Sequence, residues 1–387
     1  MSTSNIRCTW KFQNVAPGDG YGWLSPQGIY CRDVSKYPHH SLECLNDDSS
    51  SFRLSDSSVQ AAIDGGWVEG GAMSAVCAAW SPGGRFLVTG SGNHERALRL
   101  FDLQRKQFLS VLGHHNDDLY NLCWSHSGRY LASASQHDGP QLKLWRVDWH
   151  DINQLDNVNH SQPSLFTPDE LVSKPIISVR QVAEISRICN HPYNDPYLPL
   201  GADQGLYGFH AVDINHADSI LVTFASLADS RGRIVVLSIP DLKEAFQFEI
   251  EQRIECIGWS CDSRKVIFCS SEGKAFTYGP IDPDHSCYPT ANELPIGIAD
   301  ICKPHPWRSI CAFSSGKWWR LDGHTSIGRI SLVDTESLSV ISELAPCPPI
   351  VDITWSQDGR SLFALCGDGT RISCDIDLDT QIDPDTH

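Results

Sequence analysis

The residues of this chain that could do chemistry are present in number but badly spaced for it. His39-His40 and His114-His115 are adjacent pairs. Neighbours on a strand point to opposite faces, so such pairs chelate a metal poorly. The cysteine count is odd, 15, and Cys77, Cys123, Cys256 and Cys366 sit inside apolar runs. No C-x-x-C pair is matched by a second one, so no zinc module is predicted. Buried free thiols in a reducing compartment are the expectation. No G-x-S-x-G, H-E-x-x-H, P-loop or dinucleotide fingerprint occurs. The expectation is therefore no catalytic residue, no metal and no cofactor: a chain that is not an enzyme.

What remains is chemistry of binding. Acid predominates over base, 47 residues against 30, for a net charge of −17. A field of that sign repels phosphate backbones and favours basic protein segments. It argues against general nucleic-acid binding. The sharpest local outlier is Ser314-Ser315-Gly316-Lys317-Trp318-Trp319-Arg320, where two aromatics stand between two cations. Trp and Arg are frequent energetic anchors of protein interfaces. Lys317, Trp318, Trp319 and Arg320 are accordingly candidate partner-binding residues.

The elements that must position these residues form a repeat. AAWSPGGR at 78–85, LCWSHSGR at 122–129, IGWSCDSR at 257–264 and ITWSQDGR at 353–360 share one pattern. An apolar run ends in Trp, a four-residue polar turn follows, then Arg, then a second apolar run. That is strand, tight turn, strand. The Trp80, Trp124, Trp259 and Trp355 spacings divide into units of roughly 44–48 residues, the period of propeller blades. Degenerate copies follow Ile298 and Ile301, and either Ile185 and Ile188 or Phe209 and Val212. The last two compete for one blade, and the start at Ile185 is preferred.

The reading is one all-β domain over 1–378, a seven-bladed β-propeller of four-stranded antiparallel blades. Blades begin near 19, 66, 118, 184, 250, 295 and 346. In the first, YGWLS, GIYCRDV, SSFRLSD and SVQAAI are the four strands. The last has three strands, and residues 6–12 complete it, pairing the chain ends and removing open sheet edges. Residues 149–174 form a polar surface insertion, and 379–387 an acidic tail.

These residues resemble the WD40-repeat family. The best copy is the third blade, where Gly113-His114 opens, Ser133 and Ser135 follow, Asp138 occupies the next turn and Trp145 ends the third strand. The resemblance implies a buried hydrogen-bond network of His114, Ser133, Asp138 and Trp145. It also implies a binding face at the loops entering the inner strands. There His115, Asp117 and Asp118, with His94, Glu95 and Glu272 of nearby turns, would form an acidic rim. Asp117 and Asp118 are expected to be exposed.

Function follows as a non-catalytic protein-interaction scaffold or substrate-recognition subunit, a monomeric propeller inside a hetero-complex. A reader of basic peptides or histone-like tails through the acidic rim is one alternative. A propeller hydrolase or oxidoreductase with a channel site is another, and a nucleic-acid-binding propeller a third. No signal segment or apolar span is found, so no membrane insertion and a cytoplasmic or nuclear location are expected.

Overall fold

The computed structural model describes residues 6–14, 22–33, 41–45, 50–55, 75–92, 96–135, 141–149, 177–185, 209–226, 232–251, 254–281, 290–315 and 327–377. These residues form strands and turns only, grouped as seven four-stranded antiparallel sheets around a central channel. Blade 1 comprises β2 (Gly22–Leu24), β3 (Tyr30–Asp33), β4 (Ser41–Leu45) and β5 (Ser51–Ser55). Blade 2 comprises β6 (Ala75–Trp80), β7 (Phe86–Ser91), β8 (Ala97–Asp102) and β9 (Gln107–His114). Blade 3 comprises β10 (Leu119–Trp124), β11 (Tyr130–Ser135), β12 (Leu142–Trp149) and β13 (Ile177–Ile185).

Blade 4 runs β14 (Phe209–Ile214), β15 (Ile220–Ser226), β16 (Gly232–Ser238) and β17 (Lys243–Ile250). Blade 5 runs β18 (Ile254–Trp259), β19 (Val266–Ser270), β20 (Ala275–Gly279) and β21 (Thr290–Glu293). Blade 6 runs β22 (Ile301–Pro304), β23 (Ile310–Ser315), β24 (Gly328–Asp334) and β25 (Ser339–Cys347). Blade 7 joins β26 (Ile350–Trp355), β27 (Ser361–Cys366) and β28 (Thr370–Asp377) to β1 (Arg7–Asn14). β1 lies antiparallel to β28 from Arg7↔Asp377 to Asn14↔Thr370.

The core is not central. It is divided into seams between successive blades. Alternation along a strand sends successive side chains to different neighbours. Leu131 joins Phe86, Val88 and Leu100 of blade 2, while the next residue, Ala132, joins Val212 and Leu221 of blade 4. Both faces are covered, so these strands read as apolar runs rather than alternating ones.

The Trp-Ser repeat now has a physical account. Ser25, Ser81, Ser125, Ser260 and Ser356 each accept the i+3 backbone N–H at their carbonyl. Each hydroxyl also accepts the N–H of the residue that re-enters the sheet, as in Phe86 N to Ser81 Oγ at 3.0 Å and Tyr130 N to Ser125 Oγ at 3.0 Å. The turn's last position is left-handed, with φ of 65° at Gly84 and 74° at Gly128, which favours glycine there. Asn215 does the same work in blade 4 with its side-chain amide. Two of the repeat tryptophans tie blades together: Trp124 Nε1 donates to Ala79 O at 3.1 Å, and Trp355 Nε1 to Lys303 O at 2.8 Å.

Four details differ from the sequence expectation. Blade 4 starts at Phe209, because Ile185 ends the outer strand of blade 3, where it pairs with Leu142. In blade 1, Ser41–Leu45 is the third strand and Ser51–Ser55 the fourth; SVQAAI lies outside the described residues. Polar positions in SLECL hid that strand, yet its alternate residues Leu42 and Cys44 are fully buried. In blade 6 the repeat is offset by one, so that Cys302 faces Phe313 and Ile298 stands 65% exposed in the loop. Finally, not every described cysteine is a free thiol: Cys31 and Cys44 face each other across β3 and β4 and form a disulfide.

The ring should depend on its clasp. Deleting residues 1–13 removes most of β1 and bares the edge of β28. We expect a lower thermal midpoint and concentration-dependent self-association by light scattering; an unchanged midpoint in a monomeric product would contradict closure by β1.

Candidate interaction site

The first candidate region is the face where the outer strand of one blade leads into the inner strand of the next. Here the sequence picked the wrong histidine. His115, not His114, enters the buried network: its Nε2 lies 2.7 Å from Ser133 Oγ, which also accepts Trp145 Nε1 at 2.8 Å. His115 is 5% exposed, whereas His114 is exposed at the strand end and its carbonyl accepts Lys143 Nζ at 2.8 Å. The reason is strand direction: adjacent residues point oppositely, and only the second one faces β11. Burial, and then the Lys143 charge, hold the His115 pKa down to about 3, so the ring is neutral. Its Nδ1 has no partner among the described residues. Asp138, the expected fourth member, lies outside them.

The acidic rim is altered for a related reason. Asp117 is buried, at 5% exposure, rather than exposed, and accepts the Asp118 N–H at 2.7 Å. Asp118 is half-buried. Both face Arg96, whose guanidinium lies 3.7 Å from Asp117 and 3.9 Å from Asp118 and also donates to Asn116 O. Glu272 is exposed in the turn after β19. His94, Glu95, Lys317, Trp318, Trp319 and Arg320 lie outside the described residues, as do His39 and His40. On this face Tyr120, Ile298 and Ile327 are exposed, at 41%, 65% and 68%.

The second region is the central channel, which no sequence motif marks because Asp213, Lys303 and Asp352 stand singly on the inner strands of three different blades. The Asp213 carboxylate joins three blades: it accepts Cys123 Sγ–H at 3.1 Å from blade 3 and Trp259 N–H at 2.7 Å from blade 5. Asp352 of blade 7 accepts Leu24 N–H of blade 1 at 3.1 Å. Burial raises the pKa of both carboxyls, against the hydrogen bonds and the Lys303 charge that lower them. Lys303 stands on β22, open to channel water yet flanked by protein. Burial lowers its pKa, but Asp352, then Asp213, outweigh that and leave it raised. The Lys303 ammonium thus offsets part of the negative charge of the two carboxylates inside the ring. No set of three His, Cys, Asp or Glu suited to a metal occurs among the described residues.

The third region is the opposite mouth of the channel, formed by the tight turns after the inner strands. The turns are laced to one another. Gln27 Nε2 donates to Gly83 O, Ser127 Oγ to Asp218, His216 N to Ser263 Oγ at 3.2 Å, and Trp307 Nε1 to Gln357 O at 3.0 Å. His305 Nε2 lies 2.9 Å from Gly359 O. Over the mouth, His126 stacks on His216 with ring centroids 4.3 Å apart, and Trp307 meets His126 edge-on at 4.5 Å. His126 belongs to blade 3 and Trp307 to blade 6, so this contact spans the opening. Trp307 is nevertheless 51% exposed. The sequence signal was available: all three rings lie in the four-residue turns of the repeat.

With this geometry, residues 69–102 and 106–146 match the WD40 family, described as WD domain, G-beta repeat. The chain thus carries WD40-repeat matches in blades 2 and 3 and folds as a seven-bladed β-propeller. Among solved structures, a chain in one titled "Crystal Structure of Mitotic Checkpoint Complex" superposes with a TM-score of 0.59 at 12% identity. The match covers 94% of this chain and 93% of that one. At such identity the likeness is one of fold.

Two measurements test the blade 3 network. Trp145→Ala should cost about 3–5 kcal/mol in equilibrium unfolding, as a large core ring is removed. Ser133→Ala should cost about 1–3 kcal/mol by stranding two buried groups. The pair should be sub-additive, and His115→Ala should cost more than His114→Ala. Equal effects of the two histidines would contradict the assignment.

Acid supplies the second test. His115 is held to about 3, and His216 and His305 to about 4, in each case chiefly by burial. The unfolded rings take up protons near 6.5, so the unfolded state binds more protons and these groups make stability fall as pH drops from about 6.5 toward 4. Urea midpoints of wild type and His115→Gln at several pH values should show a shallower loss in the variant. Parallel curves would contradict a neutral buried His115.

Proposed function

We propose that the protein is a non-catalytic interaction scaffold that holds other proteins on the two faces of a rigid disc. The observation that carries this reading is the lacing of successive turns across blades, with large apolar side chains left exposed on that tied frame. Trp307 stands on one face, and Tyr120, Ile298 and Ile327 on the other. Side chains presented on rigid elements lose little conformational freedom on docking, which favours recognition. Titled membership of a multi-protein complex by the chain that shares this fold is consistent with a role in assembly. Recognition of basic tails by the loops entering the inner strands is a narrower version, and the Arg96 pairing of Asp117 and Asp118 weighs against it.

Full-length tagged protein, isolated under native conditions and cross-linked, tests the reading. Stoichiometric partners are expected, with cross-links on propeller turns. They should be lost in Ile298→Asp/Ile327→Asp or in Trp307→Asp at an unchanged melting temperature. A chain recovered alone, or capture indifferent to both variants, would overturn it.

A further inference from the structure

We infer that the tight-turn face around Trp307 is a docking site for an acidic protein segment bearing an aromatic or large apolar side chain. The inference deepens the scaffold reading and rests on it.

Its starting point is the Arg that closes the repeat. In blade 2 that residue, Arg85, has a built-in partner: Asp102 at the end of β8 takes its Nη2 at 2.8 Å. Asp102 is 1% exposed, so the pair is a structural clamp. In blades 3, 5 and 7 the Arg is kept and the clamp is broken on the acid side, whereas blade 6 keeps the acid, Asp334, and has Ser309 in place of the Arg. The backbone contact that aligns Arg85 with Leu103 aligns Arg129 with Val147, Arg264 with Ile281 and Arg360 with Ile376. The residue before each partner is therefore the counterpart of Asp102. In blade 3 it is Arg146, a like charge, and in blade 5 it is Pro280. In blade 7 it is Asp375, but its carboxylate is taken by Lys11 of β1 at 2.5 Å and by Ser361 Oγ at 3.2 Å.

Arg129, Arg264 and Arg360 are thus exposed and make no ion pair among the described residues, although Arg360 lies within electrostatic reach of Asp358. Arg308, beside Trp307, is half-buried and makes no ion pair among the described residues, though its charge is felt by His305. The acids on the same turns are occupied locally. Asp262 accepts Ser260 Oγ at 2.5 Å and Arg264 N at 3.0 Å. Asp358 accepts Ser356 Oγ at 2.7 Å and Arg360 N at 3.0 Å, and Asp218 accepts Ser127 Oγ.

Four arginines that make no ion pair among the described residues therefore share the tight-turn face with one half-exposed indole, on a chain whose net charge is −17. Charges beyond about 8 Å are largely screened at physiological salt, so the groups on the turns themselves, four arginines against the capped Asp218, Asp262 and Asp358, rather than the net charge decide what this face attracts. Arg pairs with carboxylates in bidentate fashion. The indole, backed by two neutral imidazoles, offers an apolar contact for one aromatic or aliphatic side chain. Acids interspersed among the arginines disfavour a continuous polyphosphate strand, and discrete carboxylates fit better.

The test uses full-length protein and a fluorescein-labelled 12-residue peptide rich in Asp and Glu with a central Phe, read by anisotropy. Saturable binding is expected. Raising salt from 50 to 300 mM should weaken it several-fold. The Arg129→Glu/Arg264→Glu/Arg360→Glu variant should weaken it at least tenfold, and Trp307→Ala by a smaller factor. Arg129→Gln serves as a second, milder variant if the triple one folds poorly, and melting curves monitor folding. Three outcomes would overturn the inference: no binding at 50 mM salt, equal binding by wild type and a folded triple variant, or a single-stranded oligonucleotide displacing the peptide at lower concentration. If partners captured by the intact protein survive the triple variant and the peptide does not bind, this site fails while the scaffold reading stands.

Discussion

The pairing of β1 with β28 is the interaction on which the rest of this structure depends. Each blade is buried only where it meets its two neighbours, so an open stack would leave two apolar faces bare at the ends. The clasp joins Arg7–Asn14 to Thr370–Asp377, and Cys8 and Trp10 pack onto the seam between blades 6 and 7. It places the cost of closing the longest loop in the chain on one strand, and returns the burial of the seams beside it. Lys11 then pairs at the rim with Asp375, the counterpart of the Asp102 that clamps Arg85 in blade 2. Closure and the chemistry of the outer surface are thereby linked.

Closure also brings seven inner strands so near that their polar groups must answer one another. Asp213, between Cys123 and the Trp259 amide, shows the requirement: a carboxylate in that position is tolerated because two blades donate to it and Lys303 stands across the channel. Buried polar groups of this kind are costly when unpaired, so they favour one arrangement of the blades over others. The indoles of Trp124 and Trp355 do the same at the channel mouth, each reaching a carbonyl of the preceding blade.

The two faces of the disc have opposite characters. On the face that leads into the inner strands, charges are neutralised in place: Arg96 with Asp117 and Asp118, Lys143 with Glu184, Arg329 with Glu343. On the tight-turn face, the acids Asp218, Asp262 and Asp358 are capped by hydroxyls and amides, and among the described residues Arg129 and Arg264 make no ion pair.

The sequence by itself determined the repeat, and with it the fold. Trp-Ser turns at blade spacing can only recur in stacked, twisted sheets, and every strong copy at Trp80, Trp124, Trp259 and Trp355 became an inner strand ending in a capped turn. Weak copies were less legible, because the signal there is carried by partners rather than residue type. Phe209 opens blade 4 only because Ile185 is needed by Leu142, and SLECL is a strand because its neighbours bury Leu42 and Cys44. The choice of His115 over His114, the burial of Asp117, and the joining of His126, His216 and Trp307 from blades far apart in sequence were decided by tertiary structure. Side-chain direction within a strand, and contact between strands that meet only when the ring closes, are set by three-dimensional packing, which local sequence does not encode.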